Sequence, residues 1–157
     1  MPDWISHILL ALIIGEVLNV RKKSLIVIGA VIPDILKIAT FMSFFNVDYT
    51  LAYKILFPFH TPFGSLIVAC IIALFFEYKY TTTVRLLSIG WGSHFLLDML
   101  QTHPAFGETL IFFPFSWTNI ELSILRVDQF YIALAVLAIV YIAVRIVKSM
   151  YGSKAGA

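Results

Sequence analysis

The sequence predicts an all-α fold, a polytopic membrane helical bundle. Three observations predict it: 61% of the 157 residues are hydrophobic against 13% charged, the apolar residues gather into five long runs, and the basic residues stand in short clusters between those runs. A soluble core of this length could not absorb so much apolar surface. The length suits a single integral-membrane domain over residues 1–157.

The five runs are Ile5 to Val20, Ser24 to Phe45, Leu51 to Phe76, Val84 to Leu100 and Val127 to Val147. Each is expected to be a transmembrane helix. The first and fourth are short, covering about 25 Å of a hydrocarbon core that is about 30 Å thick, and Trp4 and Arg21 are placed to reach the interface. The third run is interrupted at "FPFHTPFG", where Pro58 and Pro62 each remove a backbone donor and bias the preceding residue away from helix. A short leading piece, a turn at His60 to Pro62 and then the spanning helix are expected. Thr102 to Glu121, with Pro104, Pro114 and an interfacial Trp117, reads as a re-entrant or surface loop.

Arg21, Lys22, Lys23, Lys79, Arg85, Arg145, Lys148 and Lys154 form one basic side, whereas Lys54 and Arg126 on the other lie among Asp3, Asp48, Glu108, Glu121 and Asp128. The positive-inside rule then puts the N-terminus outside and the C-terminus in the cytoplasm, in the plasma (inner) membrane. A net charge of +2 with no extended basic tract excludes nucleic-acid binding as an expectation, leaving the lipid bilayer as the evident partner. The first run follows Asp3 and precedes "RKK", the reverse of a signal peptide's charge order, and is expected to be retained. The single cysteine, Cys70, is read as a packing residue, and no intrachain disulfide is possible.

Against this apolar background the ionisable residues converge on the outer ends of the helices. His7 opens the first, His60 opens the spanning part of the third, and His94, Asp98 and His103 close the fourth, while Asp34 follows Pro33 in the second. Intramembrane ionisable groups are costly unless paired, hydrated or bound to metal. His94 and Asp98, four apart, share a helix face and can offer a nitrogen and an oxygen to one cation. With His7, Asp34 and His60 they compose a donor set suited to zinc, manganese or iron, one ion or two. An open coordination position would make a nucleophile of a bound water. Simpler roles compete: Asp34 could pair with Lys37 on its own turn, His103 could be a loop residue beside Pro104, and Glu16, near Arg21, reads as structural.

The ordered motifs "WISHILLALIIGEV", "GAVIPDILK", "FHTPFGSL", "GSHFLLDMLQT" and "FGETLIFFPFSW" resemble the YdjM-like family of membrane-bound proteins described as metal-dependent hydrolases. The resemblance implies His7, Asp34, His60, His94 and Asp98 as metal ligands, with Gly107, Pro114, Phe115 and Ser116 shaping the adjoining loop. More distantly the pattern is similar to zinc-dependent phospholipase C and the P1-type nucleases. That likeness implies phosphoester hydrolysis, with His94 and Asp98 as catalytic residues and Asp98 bridging two ions. The third motif departs from the family pattern, because "HTPFGS" lacks an Arg and a second His. The function expected is a membrane-embedded metal-dependent hydrolase of a phosphoester or phospholipid-like substrate, open to the outer face. The alternatives are a metal-ion or proton transporter built on the same cluster and a bis-histidine haem protein, which would leave both aspartates idle.

Overall fold

A computed structural model describes residues 4–38, 42, 44–46, 48–102 and 110–154. His103, Gly107 and Glu108 lie outside the described residues, as does Asp3. The chain is mostly helical, its described strands being one two-residue pair. The helices are α1 (Trp4–Val17), α2 (Lys23–Val31), α3 (Tyr49–Leu56), α4 (Pro62–Ala73), α5 (Tyr80–Met99) and α6 (Phe130–Lys154), with 3₁₀ turns at Ile32–Lys37, Phe57–His60 and Val127–Gln129.

α1 ends where Asn19 adopts a left-handed conformation (φ 53°) and the Val20 amide closes back on the Gly15 carbonyl. Asn tolerates that geometry, which terminates helices generally. The short reversal that follows lays α2 antiparallel to α1. The second segment, expected over Ser24 to Phe45 with Pro33 disturbing the helix, is α-helical over Lys23–Val31 and tightens at Ile32 into a 3₁₀ turn. Pro33 supplies the reason, since it lacks the amide that would continue the ladder.

The third segment breaks where the prolines predict. Two helical pieces, Tyr49–His60 and Pro62–Ala73, meet at 81° around an extended Thr61. The bend is built by local side chains. Thr61 Oγ1 donates to the Pro58 carbonyl (2.6 Å) and accepts from the Gly64 amide (3.1 Å), and Ser65 Oγ donates to the Phe59 carbonyl (2.9 Å). Pro62 occupies the first turn of α4, where a missing amide costs nothing. Gly64 is required by proximity, because a Cβ there would overlap the Pro58 carbonyl.

α5 begins at Tyr80, four residues before the apolar run, and its 20 residues span about 30 Å. The helix is thus longer than the apolar run, although by length and composition together it does not qualify as a membrane span on its own. α5 crosses α2 in backbone contact. A Cβ on Gly29 would strike the Leu87 carbonyl and one on Gly90 the Ile26 carbonyl, so only glycine permits this approach. Leu25, Ile26, Ala30, Ile32 and Leu87 are buried around the crossing.

The loop before α6 returns to α5, with the Leu122 amide on the Met99 carbonyl (2.7 Å) and those of Ile124 and Leu125 on Leu100 (3.0 Å each). Orphan carbonyls at the end of α5 are thereby satisfied, and Gln101–Thr102 pairs in parallel with Leu125–Arg126. Phe115 (89%) and Trp117 (71%) stand exposed on this loop.

By length and composition, α6 is the one described helix able to cross a membrane alone (Phe130–Tyr151), and the bent pair of the third segment could form another span. α6 packs chiefly on α1 and otherwise displays apolar side chains outward. A helix apolar on all sides and unburied is suited to lipid.

Candidate metal centre

His7, Asp34, His60, His94 and Asp98 come together in one buried cluster, each no more than 2% exposed. Four separate segments deliver them: α1, the 3₁₀ turn after α2, the 3₁₀ turn before α4, and α5.

Asp98 Oδ2 lies 3.1 Å from His94 Nε2 and 3.4 Å from His60 Nε2, and the two Nε2 atoms are 3.3 Å apart. These three atoms form a closed triangle. Four donors arranged tetrahedrally at zinc's usual bond lengths would sit about 3.3 Å from one another. The triangle thus has the edge length of one face of such a polyhedron. Asp34 Oδ1 is 4.0 Å from His94 Nε2. On the other oxygen, Asp98 Oδ1 faces His7 Nε2 at 3.5 Å, and the His7 ring stacks on His94 with centroids 3.8 Å apart.

His94 is oriented by the helix crossing. Its Nδ1 lies 2.8 Å from the carbonyl oxygen of Ala30, an acceptor only, so Nδ1 carries a proton and, in the neutral ring, Nε2 presents its lone pair to the cluster. A backbone carbonyl behind a ligating imidazole is a recurrent means of setting tautomer and ring angle.

The donors also lack other partners. Both Asp98 oxygens, both His7 ring nitrogens, His60 Nδ1 and Asp34 Oδ1 are buried without a hydrogen bond. Each such atom costs about 1–3 kcal/mol if unsatisfied. Three imidazoles and two carboxylates facing one another are the chemistry of a divalent cation site, and the overlapping sets His7, His94, Asp98 and Asp34, His60, His94 each bring their ligand atoms within 4.8 Å. The residues present therefore fit a metal ion, of a kind the donor set leaves open among zinc, manganese and iron.

The competing roles foreseen for Asp34 coexist, with Oδ2 receiving Lys37 Nζ at 2.6 Å while Oδ1 faces the histidines. His103 falls outside the described residues. Glu16 is structural, as expected, though its partners are not Arg21. Its carboxylate meets Lys23 (2.5 Å), Arg145 (3.2 Å) and Lys148 (3.4 Å), tying α1 to α2 and α6. Lys148 also bonds the Glu16 backbone carbonyl and Asn19 Oδ1. Sequence reasoning missed the Ala30 carbonyl, which no side-chain pattern marks. It also missed Gln101, fully buried three residues past Asp98 with neither amide atom hydrogen-bonded; a polar residue just beyond an apolar helix was its signal.

A family model described as "YdjM inner membrane protein" matches residues 1–155. No curated protein and no solved structure matches the chain.

Proposed function

The chain belongs to the YdjM inner membrane protein family, and on that premise we propose that it is a membrane-embedded metal-dependent hydrolase acting on a phosphoester or phospholipid-like substrate. The observation that carries the proposal is the triangle of His60 Nε2, His94 Nε2 and Asp98 Oδ2, with edges of 3.1–3.4 Å and no competing partner for the Asp98 carboxylate.

In this reading His60, His94 and Asp98 would hold a divalent ion such as zinc, with Asp34 available beside them. When bound, the ion supplies Lewis-acid polarisation of a phosphoryl oxygen and lowers the pKa of water toward neutrality. The remaining work falls to the chain. Ala30 holds His94 in one tautomer, so the nitrogen facing the site stays an acceptor. Asp98 faces two imidazoles with Oδ2 and His7 with Oδ1, so one oxygen would help hold the ion while the other could exchange a proton with His7. Burial of all five side chains excludes bulk water and strengthens each of these interactions.

We place five membrane segments in the bilayer, the N-terminus outside and the site toward the outer face. Glu16, nine residues along α1 from His7 and hence about 14 Å away, gathers Lys23, Arg145 and Lys148, supporting a cytoplasmic location for that end. An apolar groove of about 330 Å³ along Val27, Ile28, Val31, Ile32 and Ile35 runs up to the turn that carries Asp34 and has room for part of an acyl chain. Transport through the same cluster would need a second polar station at the cytoplasmic end. The carboxylate there, Glu16, is engaged by three cations, which favours the enzyme.

Elemental analysis of purified protein beside His94→Ala and Asp98→Ala tests the site, followed by assays on phosphomonoesters, phosphodiesters and phospholipids. Stoichiometric metal in the wild type, lost in both variants, is expected together with hydrolysis of at least one class. Metal retained unchanged in both variants would remove the assignment. Bound metal with ion flux in liposomes and no hydrolysis would establish the transporter instead.

A further inference from the structure

At the end of α1 away from the histidine cluster, one buried carboxylate holds three cations. Glu16 meets Lys23 of α2 at 2.5 Å and, from α6, Arg145 at 3.2 Å and Lys148 at 3.4 Å. Among the described residues no other carboxylate pairs with any of the three, so two positive charges of the group are left unmatched there. The positive-inside rule asks only that cations lie near this end of the helices. It does not ask that two of them, 129 and 132 residues along the chain from Glu16, converge on its side chain.

The three cations are not equivalent. Lys148 gives its ammonium to the Glu16 carbonyl, the Glu16 carboxylate and Asn19 Oδ1, which occupies the three donors it has. Arg145 commits only Nη1 to Glu16, and its side chain is 59% exposed, so the rest of the guanidinium fork stays accessible. Lys23 makes a single bond, to the same carboxylate, and is partly exposed. Apolar side chains flank the pair: Val17 and Leu18 follow Glu16, Ile146 and Val147 follow Arg145, and all four are exposed. Cations beside an unburied apolar face fit an amphiphilic anion, and the membrane in which this family resides supplies one. We propose that Arg145 and Lys23, gathered by Glu16 where α1, α2 and α6 meet, bind the phosphate headgroup of an acidic phospholipid. Its acyl chains lie along the exposed apolar residues of α1 and α6. A guanidinium fork matches two phosphate oxygens at once. A zwitterionic lipid brings its own ammonium to the same phosphate and so gains less from the site.

Wild type, Arg145→Gln, Arg145→Lys and Lys54→Gln are equilibrated in detergent with phosphatidylglycerol or phosphatidylcholine, and retained lipid is read by native mass spectrometry. Lys54 is the control, an exposed cation of α3, which packs on the turns at the metal-centre end. The wild type is expected to retain phosphatidylglycerol over phosphatidylcholine, with a preference that falls as salt is raised. Arg145→Gln should weaken phosphatidylglycerol roughly five- to fiftyfold, between the surface attraction of one cation and a charge-assisted hydrogen bond. Its phosphatidylcholine binding and its melting temperature without acidic lipid should stay near wild type, because an exposed ion pair contributes little. Arg145→Lys should recover phosphatidylglycerol to within about fivefold, keeping the charge but losing the fork. Lys54→Gln should bind as the wild type does. Equal retention of the two lipids by the wild type, or a preference indifferent to salt, overturns the proposal whatever the variants do. So does an undiminished preference in Arg145→Gln, or an equal loss in Lys54→Gln, which would mean diffuse attraction to the whole surface. A loss in Arg145→Gln that extends to phosphatidylcholine and to the melting temperature would leave Arg145 a merely structural role. Displacement of the bound lipid by inorganic phosphate would overturn the lipid assignment in favour of a soluble anion.

Discussion

Substituting Gly90 by alanine tests how the helix crossing builds the site. The added methyl would meet the Ile26 carbonyl, the Ala30 amide nitrogen and the Gly29 carbonyl carbon, all backbone atoms of α2 that no rotamer change can move. Nonbonded heavy atoms rest near 3.5–4 Å and the nearest of these would lie far inside that range, so α2 and α5 must part by about 1.5 Å. Overpacking of this kind costs about 1–3 kcal/mol. The same displacement lengthens the 2.8 Å contact between His94 Nδ1 and the Ala30 carbonyl beyond hydrogen-bond range. Losing an outer partner of a ligating histidine typically weakens metal binding by about 10–100-fold. Gly92→Ala is the matched control: it lies on the same helix, two residues away, with nothing within 4 Å of its Cβ. That variant should be neutral or slightly stabilising, because alanine is the better helix former by about 1 kcal/mol. Zinc affinity by competition with a chromophoric chelator, and thermal unfolding in detergent, give the two readouts. If Gly90→Ala binds zinc as tightly as Gly92→Ala, the crossing does not orient His94 and the reasoning fails.

Three further outcomes follow from the same geometry. Thr61→Ala removes both the cap on Gly64 and the bond to Pro58, which should cost about 1 kcal/mol and loosen His60; a lower melting temperature with weaker zinc binding is expected, and Thr61→Ser should recover both. Glu16→Gln leaves Lys23, Arg145 and Lys148 facing one another, and a loss of about 1–3 kcal/mol is expected by analogy with other hydrogen-bonded charges. Because the candidate metal centre lies at the other end of α1, zinc stoichiometry should be untouched, which a metal analysis beside the melting curve would check. Removing metal by chelation should lower thermal stability, by about 2.7 kcal/mol relative to an ion present at a hundred times its dissociation constant; reloading should reverse the shift in the wild type and leave Asp98→Ala unmoved.

The candidate site was largely legible in the sequence because an apolar background makes ionisable residues conspicuous, and because His94 and Asp98 could be assigned one face from spacing alone. Their joining to His7, Asp34 and His60 required only that the segments pack with the ends carrying these residues together. What spacing could not supply is the distance at which they meet. That depends on Gly29 and Gly90, small residues whose effect is felt between helices and leaves no periodic trace in either one. The fold was less legible for related reasons. Pro58 and Pro62 announced the break in the third segment, since proline acts on its own backbone, and Pro33 in the same way tightens the second segment into a 3₁₀ turn that hydropathy alone does not mark. Hydropathy likewise set the start of α5 at Val84, although the helix begins at Tyr80, because helices extend past the apolar stretch wherever polar residues can be solvated. α5 shows the same limit from the other side: its apolar run is expected to span the membrane, yet the helix that buries His94 and Asp98 among its partners falls short of α6 as a span by composition, although the burial that makes those residues tolerable is also what makes them able to act.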